Sequence, residues 1–232
     1  MKNALTKGDD EKRFNQLRDW FFDGEPTVKK CAEYAYHDLC RRLRGMGILK
    51  RNDADKYNNY MDAVKSILES RLEELKSEII LKKLSDDEKT EAQKKFDKWH
   101  KETRIKIIEC WDITKLDAKF THGHAQKWLN MTLKNMLVAE TADWNKYLNS
   151  IRELLHVPVD QYVLSAADLQ LGIRKKENKG KSKYTSEKLI GWSKWDSGTY
   201  EVFQEQVREA ISFRQDYDCP IDWEFDAWIA YK

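Results

Sequence analysis

The stretch YNNYMDAVKSILESRLEELKSEIILKKL, residues 57–84, determines the fold class. Its apolar residues recur every three or four positions, and Glu and Lys fill most of the positions between them, which is the pattern of an amphipathic helix. The apolar stripe consists of Met61, Val64, Ile67, Leu68, Leu72, Leu75 and Ile79. A helix of this length and polarity is typical of a helical domain with its own core.

The chain on both sides of this stretch has the same periodicity. Helical spacing also recurs over 14–22 and 32–43, with a break at 24–26 and an end at 45–47. Ser85 to Glu88 supply an N-cap and an acidic first turn for a helix from 89 to about 111, and 200–213 form another. Nine Gly and three Pro in 232 residues disfavour sandwiches and barrels, which need many tight turns. We therefore predict one all-α domain over residues 1–232.

The overall charge does not indicate a nucleic-acid partner. Lys and Arg number 42 against 40 Asp and Glu, so any basic surface would be local. The chain begins without an apolar signal region and contains no stretch that could span a bilayer. We expect a cytoplasmic protein without a membrane partner.

The cysteines do not form a metal-binding pattern. They lie far apart with no C-x-x-C pair, at Cys31, Cys40, Cys110 and Cys219. This spacing predicts reduced, buried thiols rather than a zinc or iron–sulfur site.

One segment, IRKKENKGKSKYTSEK at 173–188, is strongly basic. It contains seven Lys and Arg residues against two Glu and has no apolar face, which predicts a mobile loop. Such a loop is either a solvated insertion or a contact with phosphate groups, and in the second case Lys175 and Lys176 are the candidate DNA-binding residues.

Two further segments place reactive side chains at the start of helices. In FTHGHAQKWLNM, residues 120–131, a tight turn opens a helix whose first turn contains Lys127. The helix dipole disfavours a cation there, and burial acts in the same direction, so we expect a neutral amine. In HVPVDQYVL, residues 156–164, Pro158 keeps the preceding residue extended and Asp160 is a favourable N-cap for the next helix.

This order of motifs resembles the helix-hairpin-helix DNA glycosylase superfamily, which includes endonuclease III and the 8-oxoguanine DNA glycosylases. The family hairpin typically has the pattern G-x-G-x-K, followed by a V-D-x-H-V-like segment that contains the catalytic aspartate. Residues 123–127 take the place of the hairpin, and residues 157–163 take the place of the second segment. The resemblance implies a helix-hairpin-helix glycosylase fold, with Lys127 as the nucleophile and Asp160 as the aspartate.

The chain departs from the family pattern at four points. Ala125 replaces the second hairpin glycine, and Tyr162 stands where many members have histidine. The interval of 33 residues between the lysine and the aspartate is long, which implies an insertion near 143–149. The four-cysteine cluster of the endonuclease III branch is absent from the sequence, so we expect no iron–sulfur cofactor, and no other cofactor is implied.

The resemblance also implies a partner and a reaction. The partner is DNA, and the reaction excises a flipped-out modified base, with lyase activity as an option. Prokaryotic glycosylases that defend against phages with modified DNA are a similar subfamily. The base could be oxidised guanine, alkylated purine or a modified cytosine, with phage cytosine preferred. We expect a monomer.

The same resemblance provides further candidate residues. DNA phosphates would lie at His122, Gly123, His124 and Gln126, where backbone N–H groups of the turn face outward. A base pocket would contain Met131, Trp192, Trp195, Phe203 and Gln204. The two histidines lack a third ligand for a metal and alternatively cap the turn. Met131 and the aromatic residues are alternatively part of the core.

Two other functions were weighed. The first is a non-catalytic helical protein that binds nucleic acid or a partner within a bacterial defence system, because Asp160 alone is commonly a structural N-cap and Lys127 alone a surface residue. The second is a ribonuclease of the HEPN type, which Arg152 and His156 would suggest. Only three residues separate that pair, which is too few for the usual motif.

Overall fold

The computed structural model describes residues 24, 26–40, 43, 45–79, 86–140, 144–173 and 191–231. Across these residues the protein is all-helical, as predicted, with nine α-helices and no strand. The helices are α1 (Val28–Cys40), α2 (Met46–Asn52), α3 (Ala54–Glu78), α4 (Asp86–Cys110), α5 (His122–Val138), α6 (Asn145–Ser150), α7 (Gln161–Leu171), α8 (Ser197–Ser212) and α9 (Pro220–Tyr231). Short 3₁₀ turns lie at Trp111–Thr114, Arg152–Leu154 and Trp192–Lys194.

Helix α5 lies at the centre of the described structure. It packs against α1, α4 and α8, and most of its residues from Gly123 to Leu137 are buried. The indole of Trp128 is fully buried, and its N–H donates to the carbonyl of Ala32 in α1 over 2.8 Å. A helix that is buried on nearly all sides places even its polar residues inside the protein, so each of them needs a partner.

Helices α3 and α4 form the layer beside α5. Asp53 caps α3 by accepting from the amide of Lys56 over 2.9 Å, so the helix begins three residues before the predicted start at Tyr57. Arg71 is buried between the two helices and donates to the hydroxyl of Thr103 over 3.0 Å. The indole of Trp99 in turn donates to the carbonyl of Arg71 over 2.6 Å.

Other sequence predictions have mixed outcomes. Gly45 has a positive φ of 95°, consistent with the predicted helix end. The break does not extend over 45–47, because α2 already begins at Met46. Cys31, Cys110 and Cys219 are buried, as predicted, and none of these three is in a disulfide. The expected first helix at 14–22 and the basic residues Lys175 and Lys176 lie outside the described residues. Within the described ranges, none of the helices is both long enough and apolar enough to cross a membrane.

Candidate active site

The segment 123–126, which was predicted to be a tight turn, is instead the first turn of α5. Thr121 is the N-cap, and its hydroxyl accepts from the amide of His124 over 3.2 Å. The imidazole Nδ1 of His124 accepts in return from the amide of Thr121 over 3.3 Å, which completes a capping box. The helix-hairpin turn expected from the glycine is therefore wrong, because a complete cap already starts the helix at His122.

The helix start is covered by another part of the chain. The amide of Gly123 donates to the carbonyl of Trp195 over 3.2 Å, and the amide of Ala125 donates to the carbonyl of Thr121 over 3.0 Å. A Cβ at Gly123 would lie 1.9 Å from the carbonyl oxygen of Trp192. Because the N–H groups of Gly123, His124 and Ala125 are already donated, the predicted phosphate site on this turn is corrected: these amides face protein.

The two histidines at this position also have partners within the protein. Burial lowers the pKa of His124 to about 4, and its ring takes part in the cap. His122 approaches the guanidinium of Arg104 at 3.4 Å, and its pKa is lowered mainly by burial and then by that cation. Both rings are neutral near pH 7, so they have no charge to attract a phosphate group.

The extended segment 155–160 passes beside α5, and no strand pairs with it in the part of the chain that the structure describes. Its backbone is instead bonded by glutamine side chains. The side-chain oxygen of Gln126 accepts from the backbone amide of Val159 over 3.1 Å, and the side-chain nitrogen of Gln126 donates to the Val159 carbonyl over 3.0 Å. Gln204 does the same for Val157, at 3.0 Å and 2.9 Å. We call this arrangement the glutamine clamp.

The glutamine clamp corrects two sequence predictions. Gln126 was a candidate DNA contact and Gln204 a candidate reader of the base edge. Both are buried, with exposed fractions of 0% and 1%, and both amide ends of each are occupied by the backbone at Val157 and Val159. Neither side chain is therefore available to a nucleic acid.

The clamped segment ends at Asp160, which meets Lys127. The lysine Nζ lies 2.9 Å from the aspartate Oδ2, and the side chains are 7% and 14% exposed. The other oxygen, Oδ1, accepts from the amides of Tyr162 and Val163 at 2.9 and 3.0 Å, which caps α7 as predicted. The two residues that the motifs single out are thus in direct contact. Lys127 is paired with a carboxylate, whereas the sequence predicted a neutral amine.

A second ion pair lies on the same face of α5. Lys134 follows Lys127 by seven residues, and its Nζ lies 2.6 Å from Oε2 of Glu224 in α9. Glu224 is 1% exposed, and burial raises the pKa of its carboxyl against the opposing effect of Lys134. Lys127 and Asp160 are also close enough to Glu224 to act on that pKa. Four charged groups therefore form one cluster.

Aromatic rings border this second pair. The Lys134 ammonium lies 4.6 Å from the ring centre of Phe225 and 5.3 Å from that of Trp228. Both rings are partly exposed, as is Met131, which lies between the two lysines on α5. Sequence analysis missed Lys134 and Glu224. The seven-residue spacing from Lys127 was a usable signal for the first, but nothing local marks a glutamate in an aromatic tail.

The remaining residues of the predicted base pocket lie elsewhere. Trp192 is buried against the start of α5, where the centre of its ring lies 6.3 Å from that of His124. Phe203 is buried, and its ring packs against that of Trp195 at 5.4 Å. These aromatic side chains belong to the packing that covers α5, which was their alternative interpretation.

Comparisons with known proteins returned no match among protein-family models, curated proteins or solved structures.

The contact at Gly123 leads to a first prediction. Gly123→Ala should lower the free energy of unfolding by about 1–3 kcal/mol, because the added methyl group collides with backbone rather than with a movable side chain. Gly191→Ala is the matched control, since that glycine has φ −55° and no atom within 4 Å of an added Cβ. Urea denaturation measures both variants. Equal midpoints would contradict the close approach.

The double role of Asp160 leads to a second prediction. Asp160→Asn keeps an oxygen for the cap and removes the charge, whereas Asp160→Ala removes both. We expect stability to fall in the order wild type, Asn, Ala, with the Ala variant about 1 kcal/mol below Asn because it also loses the N-cap. Chemical denaturation measures the difference, and indistinguishable Asn and Ala variants would show that the cap contributes nothing.

Proposed function

We propose that the protein is a DNA glycosylase in which Lys127 and Asp160 act on one deoxyribose. The observation that supports this most strongly is the 2.9 Å contact between their side chains, which lie 33 residues apart in the chain. A pair that is mostly buried is expensive to desolvate and is weak evidence for stability alone. A functional requirement for these two groups is a reason to retain them.

The pair suits the chemistry of base removal. The amine of Lys127 gives up a proton, for which Asp160 is the adjacent acceptor, and attacks C1′ of the flipped-out nucleotide. The bond from C1′ to the base nitrogen breaks, and the base leaves with the electron pair and takes up the proton from Asp160. The carboxylate that Asp160 regains stabilises the positive charge that develops on the sugar. The N,O-acetal formed at C1′ opens when a proton moves from the lysine nitrogen to O4′, which leaves a protonated Schiff base on Lys127.

The second ion pair supplies a place for the base. A flipped base beside Lys127 would meet Met131, the rings of Phe225 and Trp228, and the Lys134–Glu224 pair. A carboxylate accepts hydrogen bonds only, and two of them when it is bidentate. Among the standard bases, guanine alone offers two adjacent N–H donors, at N1 and N2. We therefore infer a guanine-type base such as oxidised guanine, in preference to modified cytosine. This requires Glu224, which is 1% exposed and paired with Lys134, to release that pair and turn its carboxylate to the base.

The mechanism predicts a covalent intermediate. Borohydride should trap wild-type protein on DNA that contains an abasic site, because it reduces the Schiff base to a stable amine. Lys127→Gln should reduce trapping below detection, and Lys146→Gln, which removes an exposed lysine on α6, should trap normally. Denaturing gels measure the adduct. Base release at the wild-type rate by Lys127→Gln would mean that water is the nucleophile.

The pocket makes a separate prediction. Glu224→Gln should slow release of a guanine-type base at least about tenfold, because a bidentate contact contributes roughly 1–3 kcal/mol of discrimination. Trapping on abasic DNA needs no base and should persist, which also shows that the variant is folded. Glu205→Gln, an exposed position on α8, is the matched control. Mass spectrometry of bases released from oxidised, unmodified and hypermodified phage DNA identifies the substrate. A released cytosine derivative would contradict the guanine assignment.

One observation favours a second function, a non-catalytic nucleic-acid-binding protein. Both oxygens of Asp160 already have structural roles, one in the cap and one in the ion pair with Lys127. These roles account for the pair without chemistry. Strongly salt-dependent DNA binding, without trapping or base release from any of these DNAs, would favour this alternative.

A further inference from the structure

A buried hydrogen-bonded chain lies on the other side of the extended segment. His156, the residue before the glutamine clamp, has Nδ1 2.8 Å from the Tyr200 hydroxyl and Nε2 2.7 Å from Oδ1 of Asp97. The side-chain amide of Asn130 in α5 donates to the same hydroxyl over 2.9 Å, and its oxygen lies 2.7 Å from Nε2 of His100. Both imidazoles are buried.

The direction of every hydrogen bond in this chain follows from one acceptor. A carboxylate only accepts, so Nε2 of His156 donates to Asp97, and Nδ1 must accept from Tyr200. The tyrosine oxygen then accepts from Asn130, whose carbonyl accepts from Nε2 of His100. With both imidazoles neutral, as their burial favours by lowering the pKa of each, the chain runs in one direction from His100 to Asp97.

The charges around His156 act in both directions, because Asp97 raises its pKa whereas Arg208 and Arg104 lower it. On α4, Asp97 accepts a hydrogen bond from Nε2 of His156, and His100 and Arg104 lie nearby. On α8, the Tyr200 hydroxyl donates to Nδ1 of His156. Arg208 lies 3.1 Å from Nε2 of His156 and also pairs with Asp97. Arg104 is held over the ring of Tyr200 at 4.4 Å and pairs with Glu201. Burial, more than these neighbours, lowers the pKa of His156 to about 4.

Protonation of His156 would break the chain. Nδ1 would become a donor facing the Tyr200 hydroxyl, which already accepts from Asn130 and would have to turn its own proton elsewhere. The ring centres of His156 and His100 are 4.4 Å apart, so the new cation would also face a buried imidazole. The two N–H bonds of the Asn130 side chain are shared among the Tyr200 hydroxyl, the Val157 carbonyl and the side-chain oxygen of Gln126, so a disturbance reaches the clamp directly.

We propose that His156 is a positioning residue: through Tyr200, Asp97 and Asn130 it fixes the segment that brings Asp160 to Lys127, and it does so only while its imidazole is neutral. The catalytic meaning of this role rests on the proposed function. The control of the segment by protonation does not, because it concerns only where residues 157–160 lie. The site would therefore loosen on acidification before the rest of the fold opens.

Hydrogen exchange tests the proposal without any substrate. The amides of Tyr162 and Val163 donate to Asp160 and report directly on its position. The pKa of His156 is about 4 in the folded segment and returns to 6.5 when the segment opens. The equilibrium constant for opening of residues 157–160 should therefore rise about twentyfold between pH 7 and pH 5. Exchange by mass spectrometry or NMR, corrected for the intrinsic pH dependence, measures this factor. Amides within α3 serve as the internal reference and should change much less.

Two variants separate positioning from general destabilisation. In His156→Gln the side chain can still accept from Tyr200 and donate to Asp97 but does not titrate, so the acceleration should be at least threefold smaller. Tyr200→Phe keeps the ring against Arg104 and removes the link, so exchange should already be fast at pH 7. His37→Gln, an exposed histidine, should behave as wild type.

Three results would overturn the proposal. They are a pH-independent exchange rate at 162–163, an equal acceleration in α3, and an equal acceleration in wild type and His156→Gln. Single-turnover base release at the two pH values then separates the two proposals. Segment exchange that behaves as expected, without release of any base, retains the positioning role and rejects the glycosylase. Base release with pH-independent exchange does the opposite.

Discussion

The arrangement depends on satisfying one stretch of extended backbone inside a helical protein. Residues 157–159 have no neighbouring strand among the described residues, yet they are buried, and an unpaired amide or carbonyl at Val157 or Val159 would cost about 1–3 kcal/mol. Gln126 and Gln204 meet this requirement because a primary amide can present an N–H donor and a carbonyl acceptor to the same residue, which is what an adjacent strand would offer. The direction of the segment, and hence the location of Asp160, follows from these two side chains.

A second constraint concerns charge inside the protein. Helix α5 is buried on nearly every side, so Lys127 and Lys134 lie in the interior with the apolar residues around them. Each lysine is paired with one carboxylate. Lys127 pairs with Asp160, which precedes α7, and Lys134 pairs with Glu224 within α9. Ion pairs of this kind fix geometry more than they add stability. They therefore tie three helices together around a single cluster.

Sequence periodicity was sufficient for the helical class, residue type for the cap at Asp160, and the motif resemblance for the choice of Lys127 and Asp160. It failed where the outcome depended on contacts remote in the chain. Gly123 suggested a turn. Its lack of a side chain is needed instead because the backbone of Trp192, 69 residues later, passes where a Cβ would lie. Glutamines were assigned to DNA because their type permits it, whereas their burial depends on which face of α5 and α8 meets residues 157–159. Glu224 had no signal, since its partner lies 90 residues away.

The glutamine clamp also has a consequence for the order of assembly. One of its two members, Gln126, precedes the segment it holds, but Gln204 lies 47 residues after Val157. During synthesis from the N-terminus, the amide of Val157 has no side-chain partner until α8 has emerged and docked. The Lys127–Asp160 centre consequently matures only after residue 204 has been synthesised, and a nascent chain that stops before it lacks a formed site.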